Sequence, residues 1–283
     1  MSESNAGGGA QQAPPDDVIV YTVGKTGTKS AYVALDRFFR MRFPDQPTLT
    51  RHTHWLSRDE IERLNASAKL SEKWAERARG VRQIVSDLAD AGRRSIVFSF
   101  VRNPLNRVMS DFFYRFPRLS QLYWSLAPEQ AEALRAELNE IFALTVDYQI
   151  RKEEKWWEAF NETFGFRLRD VPEIKSQGFA IREGACRTAV VVLKLEKSPR
   201  ALRLALDALG YSGGKLKMAP RNCSDDFLSA DAVESVRRVL DNPSRPLCAS
   251  PCYKDWRAAY GVRALMGDRE AEKAAPPSQD VAH

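Results

Sequence analysis

Cysteine and histidine are both scarce in this chain of 283 residues. The four cysteines, Cys186, Cys223, Cys248 and Cys252, are irregularly spaced, which excludes a disulfide framework. Cys248 and Cys252 have no flanking histidine and no second pair, which argues against a structural zinc site. No apolar run approaches the roughly 20 residues that span a bilayer. Residues 1–17 lack the basic and apolar regions of a secretory signal. A block of Lys/Arg is also missing, as is any interleaving of basic with aromatic residues. Nucleic acid is therefore not an expected partner, although 43 basic residues against 37 acidic ones leave a net charge of +6 that suits an anionic ligand. These absences lead us to expect a reduced, cytoplasmic, soluble protein without a transmembrane segment.

What is present is a core-forming chain, 43% hydrophobic, framed by two tails that cannot bury one. Residues 1–17 and 266–283 are rich in Gly, Ala, Pro and Gln and are read as disordered. The body, 18–265, shows no repeat and no dividing linker, so one domain is expected. Within it, apolar strands alternate with helical periodicity, the pattern of an α/β fold with a central parallel sheet flanked by helices. Strands are expected at 18–23, 48–52, 95–101 and 188–195. Helices are expected at 28–41, from Trp74 to near Gly92, from Pro104 onward, and at 128–145, 148–164, 199–209 and 230–240.

Two of the strands empty into chemically pointed turns. After residues 18–23 come Gly24, Lys25, Thr26, Gly27, Thr28, Lys29 and Ser30. The glycines permit close backbone approach, Lys25 supplies a mobile cation, and the hydroxyls supply donors. The glycines are three apart and Gly27 is followed by Thr28, so the Walker spacing is not met. After residues 95–101 come Arg102, Asn103 and Pro104, with Asn103 placed to cap a helix that Pro104 opens. In that helix Leu105, Val108, Met109, Phe112 and Phe116 share one face, and Arg107, Ser110 and Tyr114 share the other, taken as solvent-facing. Each turn delivers basic and hydroxyl groups to a helix N-terminus, where free amides and the dipole favour an anion.

Together these turns resemble the two nucleotide-binding motifs of sulfotransferases that use 3′-phosphoadenosine-5′-phosphosulfate (PAPS). The stretch 24–30 looks like their 5′-phosphosulfate loop, and Arg102-Asn103-Pro104 with Arg107 and Ser110 looks like their 3′-phosphate motif. The resemblance covers roughly residues 18–210. It is nearest in flavour to carbohydrate sulfotransferases, including the bacterial capsular-polysaccharide group, whose Trp-containing segment resembles 148–165. It implies a P-loop-NTPase-like three-layer fold that needs no metal. It also implies that Gly24, Lys25, Thr26, Gly27, Thr28, Lys29 and Ser30 hold the 5′ end of PAPS. Lys25 would stabilise charge on the bridging oxygen, while Arg102 and Ser110, supported by Arg107, would bind the 3′-phosphate. Adenosine 3′,5′-bisphosphate would be the product. Lys29 departs from the small residue usual at its position, and nothing beyond Asn222 aligns.

A hydroxyl acceptor needs a base that titrates near the working pH, which favours histidine. Only His52 and His54 lie outside the tails, after the second strand. The pattern resembles the His-x-His of uronosyl 2-O-sulfotransferases, which implies His54 as base, His52 as a residue that helps position the acceptor, and a glycan or glycoconjugate as acceptor. Glu60 is the carboxylate alternative. Trp156 and Trp157 are read as core, with sugar stacking as the alternative. Lys217, Arg221 and Asn222 form a loop that either closes over the nucleotide or is a plain surface charge run. Two rival functions stay open: a P-loop-like kinase using ATP and Mg²⁺, and a non-catalytic module that binds a nucleotide or a sulfated glycan.

Overall fold

The run Asp-Val-Ile-Val-Tyr is buried on both of its faces and forms the strand β1 (Asp17–Tyr21). Continuous β-branched and aromatic runs of this kind belong in the interior of a parallel sheet. The computed structural model, which describes residues 12–23, 27–46, 48–115, 148, 150–218 and 253–260, places β1 next to its centre. The other strands are β2 (Leu49–Thr53), β3 (Ser95–Val101), β4 (Phe179–Glu183) and β5 (Thr188–Lys194), in the order β2-β1-β3-β5-β4. All neighbours pair in parallel except β4 with β5, an antiparallel hairpin at one edge.

Alternation along the strands feeds two cores. Val18 and Val20, with Ile96, Phe98 and Phe100, pack on Ala31, Leu35, Phe38 and Phe39 of α1 (Thr28–Arg42). Ile19 and Tyr21, with Val97 and Val101, face the other way. There they meet Ile84 of α3 (Glu72–Ala89), Val108 of α4 (Pro104–Arg115) and Trp156, Trp157 and Phe160 of α5 (150–164). The short α6 (Glu173–Gln177) and the last described helix, α8 (Tyr253–Tyr260), join this second face, while α7 (Arg200–Ala208) joins the first. The α/β sheet flanked by helices is therefore as expected. Trp156 and Trp157 are core residues, 5% and 4% exposed.

Several features were not anticipated. β4 and the helix α2 (Arg58–Ala68) were not expected, although a capping box of Ser57 and Glu60 opens α2. Order also begins before residue 18: Asp17 starts β1, and the Thr48 hydroxyl donates to the Pro15 carbonyl at 3.0 Å. The expected helices at 128–145 and 230–240 lie outside the described residues, as do residues 1–11 and 261–283. Among the described residues no helix is long and apolar enough to cross a membrane.

The sheet's N-terminal end is closed by charge. Fully buried Asp17 accepts from Arg51 at 2.5 Å and from Arg93 at 2.6 Å, and Arg51 also reaches Asp87 on α3 at 2.7 Å. Asp87 stays on the charged side of its ordinary range: burial pushes its carboxyl up, and hydrogen bonds from Gln83 and Arg51 more than offset that. The opposite end, where the parallel strands finish, is left for the turns.

Candidate active site

Strand order reverses direction at β1: the chain leaves it for β2 on one side and returns to β3 on the other. Open α/β sheets bind ligands at such a switch point, outside the carboxyl ends of the strands. The turn after β1 and the turn after β3 both emerge here. The Ser99 hydroxyl ties the two strand ends together by donating to the Tyr21 carbonyl at 2.8 Å.

Gly24, Lys25 and Thr26 lie outside the described residues. The turn is described again at Gly27, which caps α1 in the left-handed region at φ 71°. The conformation favours glycine, and a Cβ there would sit 2.6 Å from the Leu195 Cδ1 and push that side chain aside. Thr28 and Ser30 are buried, and Lys29 points outward. The Thr28 hydroxyl shares a 2.6 Å hydrogen bond with that of Thr22. No acidic residue stands in the first turn of α1 or of α4, as an anion at those termini would require.

The second turn matches expectation in part. Arg102 is half-buried at the end of β3, and Ser110 is 8% exposed one helical turn and more into α4. Arg107 is not solvent-facing as the helical periodicity suggested. It is 1% exposed and forms an ion pair with Glu153 of α5, itself 3% exposed. That pair fixes α5 against α4, so the support it gives Arg102 and Ser110 is through the position of the helix. Asn103 is buried, and its backbone N–H donates to the Glu196 carboxylate at 2.7 Å. The amide before α4 thus already has an internal anion.

Glu196 belongs to a short 3-10 turn, Leu195–Lys197, that directly follows β5. Its neighbour Leu195 packs on Gly27 at the head of α1, while Glu196 holds the head of α4. One turn therefore bridges both helix N-termini, a role that sequence reasoning missed. Glu196 also accepts from the Tyr260 hydroxyl at 3.3 Å. Lys194 closes the same seam: its ammonium donates to the Ala259 carbonyl at 2.7 Å and lies 4.2 Å from the Tyr260 ring centre. Burial lowers the Lys194 pKa.

The histidines end β2 at the sheet edge beside β1. Their ring centres are 4.5 Å apart, at 87°. His54 Nδ1 lies 2.5 Å from the Thr22 carbonyl. A carbonyl only accepts, so Nδ1 carries the proton and Nε2 the lone pair, the tautomer a general base needs. Burial lowers the His54 pKa, the Thr22 bond opposes this, and Lys152 and Arg77 lower it further. His52 keeps an exposed surface, yet its pKa is lowered to about 4 by surrounding protein, by His54 and by Lys29. Both rings are neutral at pH 7. Glu60 is occupied otherwise: its Oε2 accepts from the Tyr21 hydroxyl at 3.1 Å and from the Leu56 and Ser57 amides at 2.9 and 3.1 Å. Of the loop at 217–222, Lys217 is described, and Arg221 and Asn222 lie outside the described residues.

A scan against models of known protein families, a search of curated proteins and a search of solved structures each returned no match.

Proposed function

We propose that this chain is an enzyme, a sulfotransferase that moves the sulfuryl group of PAPS to a hydroxyl of a carbohydrate or glycoconjugate, on a P-loop-NTPase-like fold. The observation that carries the reading is the bridging turn: Leu195 and Glu196 hold the heads of α1 and α4 together at the switch point of the sheet. Two helix heads at one place, neither with an acidic residue in its own first turn and each with basic side chains nearby, suit a ligand with two separated anionic groups. The histidine pair stands beside the first of them, joined through Thr22.

The residues present fit the co-substrate. The Gly27 turn, Thr28, Lys29 and Ser30 would face its 5′ end with Gly24, Lys25 and Thr26, and Arg102 and Ser110 would face its 3′-phosphate. PAPS supplies a sulfuryl group whose S–O bond to the 5′-phosphate breaks as the acceptor oxygen bonds to sulfur. His54 Nε2 takes the proton from the acceptor hydroxyl. Lys25 meets the negative charge left on the phosphate oxygen, an interaction strongest in the transition state. His52 orients His54 through their edge-to-face contact.

Calorimetric titration with adenosine 3′,5′-bisphosphate and with ATP–Mg²⁺ tests this directly. Micromolar binding of the bisphosphate with little affinity for ATP–Mg²⁺ is expected. Preference for ATP–Mg²⁺ would instead indicate the kinase, and binding of neither nucleotide would remove the support for both. His54→Ala is expected to abolish transfer while keeping bisphosphate affinity; retained transfer would show that His54 is not the base.

A further inference from the structure

Positive charge is gathered on one of the two helical layers. α1 and α7 cover the same face of the sheet, and the Arg203 guanidinium of α7 lies 5.7 Å from the Phe38 ring centre of α1. The outer stripe of α1 is Lys29, Val33, Arg37, Arg40 and Met41, at helical spacing and all exposed. The outer stripe of α7 is Arg200, Leu204 and Ala208, exposed in the same way. Neither stripe carries an acid. The carboxylates on these two helices, Asp36 and Asp207, are half-buried at their flanks, and Asp36 takes Arg40 at 3.1 Å. A strap at 212–214 joins the helices, with Arg42 donating to the Ser212 carbonyl at 2.5 Å and Arg203 to the Gly213 carbonyl at 2.6 Å. Lys215 and Lys217 follow that strap and are exposed. On the opposite layer the signs are mixed: Arg58 pairs with Glu62 on α2, and Arg79 with Glu72 on α3.

We propose that this α1–α7 layer docks on an anionic lipid surface. Its exposed cations, Lys29, Arg37, Arg40, Arg200, Lys215 and Lys217, fall within the roughly 4–8 that hold a protein to acidic headgroups. They extend over about 18 Å of α1 and onto the neighbouring helix, and mobile headgroups can meet each of them without a matching pattern of fixed charges. Val33, Met41 and Leu204 stand among them with 39%, 60% and 40% of their surface open. A nucleic acid would set phosphates against those apolar tips, whereas the headgroup layer takes cations and apolar side chains together. The inference is independent of the nucleotide reading. α1 starts at the switch point and runs away from it, so docking through the outer stripes leaves the turns at the sheet's end uncovered.

The test is flotation of the full chain with vesicles of phosphatidylcholine mixed with phosphatidylserine, and with vesicles of phosphatidylcholine alone. Binding to the anionic vesicles only is expected, and high salt should release it. Each cation near an acidic leaflet is worth roughly a fivefold gain, so Arg37→Gln with Arg200→Gln should weaken binding about 25-fold. Both positions are exposed, and circular dichroism checks that the fold is kept. Lys73→Gln with Lys155→Gln removes the same charge from exposed positions on the opposite layer and should have a far smaller effect. Met41→Ser with Leu204→Ser should also weaken binding to the anionic vesicles. No preference for the anionic vesicles, or equal losses from the two charge pairs, overturns the proposal. Vesicle binding indifferent to Met41→Ser with Leu204→Ser, together with release from the vesicles by a mixed-sequence DNA duplex, assigns the face to nucleic acid and overturns it as well.

Discussion

Replacing Glu60 distinguishes a buried anchor from a catalytic carboxylate. A single oxygen of this side chain receives three donors at 2.9 to 3.1 Å, and the residue is 6% exposed. Two of the donors are backbone amides at the head of α2, and the third is the hydroxyl of Tyr21, a residue with no exposed surface. Glu60→Ala leaves all three without an acceptor. At ~1–3 kcal/mol for each buried group left unsatisfied, and with some water entering the gap, the expected loss is about 4 kcal/mol. That is a large share of the roughly 5–15 kcal/mol that holds an ordinary domain folded. Glu60→Gln keeps an acceptor oxygen and loses only the charge, so about 1–2 kcal/mol is expected. Urea unfolding followed by circular dichroism gives both values. The rate of the proposed transfer from PAPS to a glycan acceptor gives the second readout, and the Gln variant should stay within about tenfold of wild type. A Gln variant of unchanged stability with a loss of about 10³ in rate, the scale of a missing general base, would refute the anchor and make Glu60 the base.

Four further outcomes follow from named contacts. Gly27→Ala should destabilise by about 1–2 kcal/mol for its left-handed backbone alone, with an added clash against Leu195 that Leu195→Ala relieves in the double variant; thermal unfolding of the set checks this. Arg107→Met should cost about 3–5 kcal/mol by leaving Glu153 buried and uncompensated, and Arg107→Met with Glu153→Leu should recover most of it, a cycle read by urea unfolding. In the β4–β5 turn, Cys186 and Arg187 hold φ of 52° and 56°, where Asn-Gly is preferred, so Cys186→Asn with Arg187→Gly should stabilise by about 1–2 kcal/mol by the same measurement. His52 has a folded-state pKa lowered to about 4 from 6.5, so the unfolded chain binds its proton first on acidification. Stability should therefore fall as pH drops from about 6.5 to about 4; His52→Asn should flatten that slope, and an unchanged slope would show that the ring is not perturbed.

Local signals carried the elements whose burial they encode. The run Ser-Ile-Val-Phe-Ser-Phe-Val is buried throughout, and β3 has the bounds expected of it. α1 also starts where expected, because a left-handed glycine and then an amphipathic run mark its head. What failed depended on distant partners. Arg107 belongs to the polar stripe of α4 by spacing, but α5 packs over that stripe and supplies Glu153. β4 is five residues long with only its first two buried, and it exists as a strand through its pairing with β5. The capping box of α2 was legible as Ser-x-x-Glu, and the same bond explains why Glu60 is a poor choice of base. Glu196 offered no local sign at all: its role comes from two helix heads that meet at one turn.

β2 shows how one short edge strand serves both the ion network and the histidine pair. Side chains alternate across a strand, so adjacent residues answer to opposite faces. Arg51 pairs in register with Ile19 and turns toward α3, where Asp17 and Asp87 take its guanidinium. His52 pairs with Val20 and turns toward the α1 face, close enough to Lys29 for that charge to lower its pKa. A slip of one residue would bury an imidazole among carboxylates and expose Arg51 beside the turn. The ion network at the sheet's N-terminal end thus fixes the register that presents the histidines at the other. Arg51→Leu should accordingly lower the proposed transfer as well as stability, although Arg51 touches neither histidine. Its effect on rate should fade when Asp17→Asn and Asp87→Asn are added to remove the uncompensated acids. A triple variant that regains stability but leaves transfer at the single-variant level would show that register and site are not coupled.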